Sequence, residues 1–276
     1  MIIKFPKKLI EHSRDFHRYY DTHIMYVHDI FKNSSSESFH IIFIEPKFLH
    51  KTKFEIFINE IPVMFDFSDH LDVLEDLSSY KAIFKFHWNE ERHGHIKNMF
   101  SFSPISFYNW KDFAKISTNI NYKAKGKILN KQIPHANALE RRNFVQSELL
   151  KKFPTETDIS VVDQNTFFTA INDCLVSVCV PGARNNMLDR GQLQYMAFGC
   201  CTISPKLITK LSFNKELIPD VHYIECDENY SNLEDKINYC KENSNKCIEI
   251  GMNAKKLFLE TSIPDQQVQW ILSKIK

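Results

Sequence analysis

The stretch Val180-Pro181-Gly182-Ala183-Arg184-Asn185-Asn186-Met187-Leu188-Asp189-Arg190-Gly191-Gln192-Leu193-Gln194-Tyr195-Met196-Ala197-Phe198-Gly199-Cys200-Cys201-Thr202-Ile203-Ser204-Pro205 decides the fold class. Just ahead of it, Cys174-Leu175-Val176-Ser177-Val178-Cys179-Val180 is a continuous apolar run stopped by Pro181-Gly182. That is the pattern of a strand buried on both faces of a sheet. A polar loop follows, then a helix over 189–198 and a second apolar strand over 200–204 ending at Pro205. Strand, loop, helix and strand in this order predict an α/β crossover unit and a mostly parallel sheet. In such a sheet ligands bind outside the carboxyl ends of the strands, where the loop falls.

Outward from this segment the same alternation continues. His222-Tyr223-Ile224 reads as a short strand, and 232–242 and 244–259 as helices. Upstream, 127–131 reads as a strand, 134–137 as a loop and 138–152 as a helix. There Leu139, Phe144 or Val145, and Leu149 recur at helical spacing while Glu140, Arg141 and Arg142 face outward. Residues 166–172 predict another helix. In the first half, strands are expected at 40–44, 54–58, 62–67 and 82–87, a loop at 33–38 and a helix over 68–77. The polar interval 119–126 predicts a boundary between an N-terminal domain, 1–122, and a C-terminal domain, 123–262. Residues 263–276 read as a closing helix, with Val268, Trp270, Ile271 and Ile275 available to pack back on the N-terminal domain.

Composition narrows the function classes. With 276 residues, 43% of them hydrophobic, the chain can bury one large core or two small ones. The 35 basic and 34 acidic residues leave a net charge of +1, without the cationic excess a nucleic-acid partner requires. No run approaches the roughly 20 apolar residues of a membrane-crossing helix, and the first residues lack a secretion signal, so a cytoplasmic protein is expected. Seven cysteines, all between Cys174 and Cys247, form no paired CxxC framework and read as reduced thiols. Ten of the twelve histidines precede position 100, but His93-Gly94-His95 and the dispersed His12, His17, His23 and His28 have no ligand spacing, so no metal is expected. The absence of GxGxxG and P-loop signatures removes the main sequence warrants for a dehydrogenase or nucleotide hydrolase. Four of the six glycines lie between Gly182 and Gly251, marking a region of sharp turns or close approach.

A helix start near Asp189 offers backbone donors that suit a diphosphate oxygen. Arg190, in its first turn, opposes the helix dipole and is better placed there if an anion sits in front of it; pairing with Asp189 is the other reading. Gln194 is one turn farther on the same face and can address ribose hydroxyls, or simply face solvent. Arg141 and Arg142, after a strand and loop, can clamp anionic oxygens or be ordinary helix-surface charge.

Gln194-Tyr195-Met196-Ala197-Phe198-Gly199, then Cys200-Cys201-Thr202-Ile203-Ser204-Pro205, resembles the helix and strand in the second domain of nucleotide-sugar glycosyltransferases of the GT-B, two-Rossmann-domain kind. The resemblance continues through the 233–237 helix to Gly251-Met252-Asn253-Ala254-Lys255-Lys256-Leu257-Phe258 and covers about 127–258. Asp189-Arg190 and 217–224 are similar to the branch of capsule-associated and protein O-glucosyl or O-xylosyl transferases. The resemblance implies two mostly parallel Rossmann-like domains facing across a cleft. It also implies metal-independent transfer from a nucleotide sugar, with UDP the chosen nucleotide, to a glycan or glycoprotein hydroxyl. The implied donor set is Lys131, Arg141, Arg142, Gly182, Arg184, Asn186, Asp189, Arg190 and Gln194. Gln194 departs from the family, where a glutamate commonly holds the ribose.

In the first half, Asp66-Phe67-Ser68-Asp69-His70 follows a strand-like segment, and Asp69 or His70 has the chemistry of a general base. Helix capping by Asp69 is the structural alternative. A non-catalytic carbohydrate-binding or scaffold protein on the same fold is the competing reading of the whole. If Asp69 is the base, Asp69→Asn lowers turnover far more than donor affinity; unchanged steady-state turnover in the folded variant removes Asp69 from the role.

Overall fold

The computed structural model describes residues 1–7, 14–46, 50, 52–68, 77–103, 110–134, 138–182 and 186–276, with the backbone alone at 14–21 and 111. The chain divides into two compact units. One is Met1–Asp112 with Lys210–Lys215 and Glu260–Lys276; the other is Phe113–Thr209 with Glu216–Leu259. The chain passes between the units after Asp112, Thr209, Lys215 and Leu259.

The first unit runs β1 (Ile2–Pro6), α1 (Arg14–Asn33), β2 (His40–Ile44), β3 (Lys53–Ile58), β4 (Ile61–Asp66), β5 (Ala82–Lys85), α2 (Glu90–His93) and β6 (Met99–Ser101). Its strands are ordered β2-β1-β3-β4-β5-β6. β3 is antiparallel to both its neighbours, and the other pairs are parallel. The β3–β4 hairpin turns on Asn59 and Glu60, both at positive φ (46° and 67°), the conformation a tight two-residue hairpin demands. Phe54, Phe65 and Phe84 are register partners on successive strands and stack with ring centroids 5.4 Å apart at each step. Such cross-strand aromatic pairs fix the register of the sheet as well as burying area. The strands expected at 40–44, 54–58, 62–67 and 82–87 are present with ends shifted by a residue or two. β1 and α1 carry no comparable signal, because one is short and the other mixes aromatic, histidine and charged residues. The helix expected over 68–77, with Asp69 and His70, falls on 69–76, outside the described residues.

The second unit continues from α3 (Trp110–Thr118) through β7 (Lys127–Leu129), α4 (Leu139–Lys152), β8 (Thr157–Asp158), α5 (Gln164–Thr169), β9 (Cys174–Val178), α6 (Arg190–Ala197), β10 (Thr202–Pro205), β11 (Ile224–Cys226), α7 (Leu233–Glu242) and α8 (Ser244–Thr261). All its strand pairs are parallel, in the order β11-β10-β9-β7-β8. The final helix, α9 (Pro264–Ile275), belongs to the first unit, where Val268, Trp270, Ile271 and Ile275 share a core with Ile3, Phe5 and Phe65. Two mostly parallel α/β units are thus the architecture, as the alternation of elements predicts. Boundaries move: the expected 222–224 strand is β11, two residues later, and 166–172 begins earlier, at the Asp163 cap of α5.

One helix is rotated from its sequence reading. On α4, Arg142 is buried with Val145 and Leu149, while Leu139 and Phe144 are 45% and 51% exposed. Arg142 does not face outward because backbone carbonyls wait for its guanidinium inside.

The glycine cluster finds its main use away from the loop. Gly199, at φ +73°, lies against Gly251 in α8, where a Cβ would sit 2.0 Å from the Gly199 carbonyl oxygen. Alanine gains about 1 kcal/mol of helix propensity over glycine, but a clash with backbone cannot be relieved by a rotamer change. Gly251→Ala is therefore expected to lower stability by about 1–3 kcal/mol in urea denaturation. An unchanged midpoint would show that the two backbones do not approach this closely.

Candidate functional site

Counted within the second unit, the strand order is 2-1-3-4-5, with the order reversing between β7 and β9. The carboxyl ends flanking such a reversal open a crevice, because the connections leave toward opposite faces of the sheet. The segments that leave the sheet at this place are 130–133 after β7 and 179–182 after β9.

At this point β7 has ended, and five consecutive carbonyls, from Val178 to Gly182, take side-chain donors. Asn130 Nδ2 donates to Val178 O (2.9 Å), the Tyr230 hydroxyl to Cys179 O (3.3 Å) and Arg142 Nε and Nη2 to Val180 O (3.3 and 3.1 Å). Arg141 Nη2 donates to Pro181 O (3.0 Å) and to Gly182 O. Burial raises the Tyr230 phenol well above its ordinary range, so it serves as a neutral donor. On the facing loop, Gln146 Nε2 donates to Asn130 Oδ1 and Gln132 O, both at 2.9 Å, and Val180 N donates to Gln132 Oε1.

Arg142 joins three elements. Besides Val180 O, it donates through Nη1 to Ile133 O (2.9 Å) and through Nη2 to Asp189 Oδ2 (3.1 Å). Asp189 is the N-cap of α6, its Oδ1 accepting from Gly191 N (2.7 Å) and its carbonyl from Gln192 N and Leu193 N. The helix donors expected to face a diphosphate are therefore largely taken by Asp189 itself. A capping carboxylate satisfies the helix dipole from within the chain.

The remaining candidates separate clearly. Lys131 is buried against Asp158, whose carboxylate it bonds, and also donates to Ser160 Oγ (2.8 Å). Burial works to raise the Asp158 carboxyl, but the bonds from Lys131 and Ser160 outweigh it and hold the group below its ordinary range. Gln194 is buried, Arg190 is half-buried, and the carbonyl of Asn186 accepts from Ile208 N (2.9 Å). Arg184, like Asp69 and His70, lies outside the described residues. Beside Gly182, no atom of the described residues other than its chain neighbours comes within 4 Å of the place a Cβ would take. Two buried nitrogens at the crevice, Gln132 Nε2 and Arg141 Nε, have no hydrogen-bond partner among the described residues. Asn130, Gln132, Gln146 and Tyr230 belong to this site although nothing in their local sequence announces them.

In the first unit, the carboxyl ends of β4 and β5 carry a buried ion pair just before residue 69. Lys85 Nζ is 3.0 Å from Asp66 Oδ2 and donates to Ser68 O and Oγ (both 3.3 Å), while Asp66 Oδ1 accepts from Ser68 N (2.8 Å). The seven cysteines are free and buried. Among the described residues no set of three His, Cys, Asp or Glu converges to hold a metal, and no helix is long and apolar enough to cross a membrane.

No protein-family model and no curated protein matches the chain. Solved structures it resembles include Anabaena HepE (Alr3699) in complex with UDP and glucose, at 10% identity and TM-score 0.45, over 70% of this chain and 63% of that one. A glycosyltransferase from Rickettsia africae aligns at 12% identity and TM-score 0.48 (74% and 68%), and HepE with UDP at 12% and 0.44 (70% and 64%). The chain spans less than two thirds of the HepE chains. By its two mostly parallel sheets, the protein is a two-unit α/β protein.

The depressed Asp158 carboxyl sets a pH dependence. Its stabilising contribution is complete above the unfolded carboxyl value of about 4 and is lost as pH falls through the lower folded value. Asp158→Asn should flatten the acid limb of a urea-midpoint profile between about pH 5 and 2. Parallel profiles for variant and wild type would remove this group from acid unfolding.

Proposed function

We propose that the chain is a glycosyltransferase that binds a nucleotide sugar, with UDP as the nucleotide, at the carboxyl edge of its second sheet. The observation that carries this reading is a pair of buried donors at the carboxyl edge of the sheet. At the reversal of strand order, Gln132 Nε2 and Arg141 Nε have no hydrogen-bond partner among the described residues, and none of these residues crowds the Cβ position of Gly182. A buried donor left unpaired costs about 1–3 kcal/mol, so a ligand bearing acceptor oxygens would recover part of that cost. Support for a sugar nucleotide comes from the order of motifs from Gln194 to Phe258. The finer placement among capsule-associated and protein O-glucosyl or O-xylosyl transferases rests on Asp189-Arg190 and 217–224 alone.

In this reading Arg141 and Arg190 oppose the charge that develops on the departing diphosphate, without a metal. Arg142 and Lys131, engaged by Asp189 and Asp158, shape the crevice. Gln194 addresses the ribose as a neutral group, and the 182–186 loop borders the donor. Asp69 or His70 supplies the base for an acceptor hydroxyl of a glycan or glycoprotein, in a cytoplasmic compartment.

The deciding experiment is a donor panel assayed for binding by calorimetry and for turnover by mass analysis of products. UDP-sugar turnover is expected. Binding without turnover across the panel would assign the non-catalytic carbohydrate-binding reading, and no binding would reject the site. None of the described residues other than its chain neighbours comes within 4 Å of a Cβ at Gly182, so Gly182→Leu should leave the melting temperature near wild type while abolishing UDP binding. Arg141→Ala should weaken UDP binding about tenfold or more, the scale of a lost hydrogen bond to a charged group. Wild-type affinity in both variants would place the ligand elsewhere.

A further inference from the structure

Within the first unit, β2 is the last strand on its side of the sheet, and among the described residues no other strand pairs with its outer edge. A free edge is a template for another chain, and proteins usually blunt it with charge, proline or a bulge. β2 has none of the three. It reads His40-Ile41-Ile42-Phe43-Ile44, and it holds register against β1 without a slip, from Ile2 with His40 to Pro6 with Ile44. Phe43 is 49% exposed and Ile42 36%.

The β1 ladder shows which backbone groups are left over. His40 N donates to Met1 O (2.9 Å) and Ile44 O accepts from Lys7 N (2.7 Å), so the even-numbered residues of β2 address β1. Alternate residues of a strand address opposite neighbours, which turns the N–H and C=O of Ile41 and Phe43 outward. Their side chains lie on the α1 face of the sheet: the Phe43 ring is 5.7 Å from that of His28, and Ile41 packs on the first unit's core. Ile42 takes the opposite face.

This edge is complementary to itself. When two copies of β2 meet antiparallel about a twofold axis at Ile42, Ile41 of each stands opposite Phe43 of the other, and each such pair exchanges both N–H···O bonds. Ile42 meets its own symmetry mate in the non-hydrogen-bonded position, which suits a residue whose polar groups are already spent on β1. A slip of one residue would set spent groups against free ones. Phe43 beside Ile41 is an aromatic and β-branched pair, a favourable cross-strand combination, and a strand without Asp, Glu, Lys or Arg brings no like charges together at the axis.

We propose that β2 joins two copies of this chain, pairing antiparallel with the β2 of the second copy about a twofold axis at Ile42 and running the first unit's sheet through both. A five-residue strand pair covers less than the ~800 Å² per partner of a standard stable interface, so the dimer is weak and dissociates in the micromolar range. The proposal does not depend on the nucleotide reading.

The test is analytical ultracentrifugation of the full chain over a concentration series. A monomer–dimer equilibrium is expected for the wild type. Ile42→Lys and Ile42→Glu each set like charges opposite one another at the axis, and each alone should weaken the dimer about tenfold. Mixed in equal amounts they should restore it, because this register brings the two copies of residue 42 together. Thermal melts identify the variants that fold. A second measurement needs no variant: amide hydrogen exchange at Ile41 and Phe43 should slow as the wild-type concentration rises, while Ile42 stays protected by β1 throughout. A wild type that is monomeric at the highest soluble concentration overturns the proposal and leaves the edge to a strand of another protein. A dimer kept by both folded charge variants, or not restored by mixing them, overturns it, as does a dimer in which exchange at Ile41 and Phe43 is unchanged. Growth past the dimer also overturns it, since a closed twofold pairing consumes both free edges.

Discussion

From Val178 to Gly182, five consecutive carbonyls at the end of the central strand of the second sheet are satisfied by side chains. β7 stops at Leu129, and at the reversal of strand order the flanking connections part, so the ladder cannot continue on the β7 side. Each buried carbonyl left unpaired would cost about 1–3 kcal/mol, and five in a row would rival the total stability of a domain. The chain answers with Asn130, Tyr230, Arg142 and Arg141, drawn from the β7 end, the segment ahead of α7, and α4. Most of the second unit's carboxyl edge follows from this requirement. Arg142 must be buried, α4 must rotate to deliver it, and Asp189 must meet its charge. A buried guanidinium without a carboxylate would be far less favourable than the paired arrangement.

The same logic governs the first unit, where polar groups are also concentrated at carboxyl strand ends. Lys85 is completely buried, and its ammonium is tolerated because Asp66 and both oxygens of Ser68 surround it. Farther along, the buried hydroxyls of Ser101, Ser103 and Ser212 join Gln267 in a network that holds two sequence-distant segments to β6 and the residue pair after it. Apolar packing would bury these segments in more than one register. A hydrogen-bond network is satisfied in one, which is the benefit against its desolvation cost.

The sequence was legible where one segment's own pattern carried the information. The apolar run at 174–180 announced β9, and the small-residue end of α6 followed by another apolar run announced β10. The alternating and aromatic stretches of the first half announced β2 to β5. It was illegible where partners are remote. Arg141 and Arg142 stand out as a pair of cations, yet both bond backbone carbonyls some forty residues later in the chain, at 180–182, and Arg142 also bonds Ile133 O and Asp189. The glycine cluster pointed toward the loop, whereas Gly199 and Gly251 meet each other. Asn130, Gln132 and Gln146 carry no local signal, because an isolated amide has no periodicity to reveal it.

By itself, then, the sequence determined the parallel α/β class, the position of the loop at a carboxyl strand end, and the Asp189 start of α6. Each depends on interactions within a few residues or on a repeat in hydrophobicity. Tertiary structure alone decided that the reversal lies between β7 and β9, that 210–215 and α9 return to the first unit, and which cations are engaged. Strand order and salt-bridge choice are contests among distant partners for the same buried groups. Only the folded chain, by bringing them to within bonding distance, resolves such a contest.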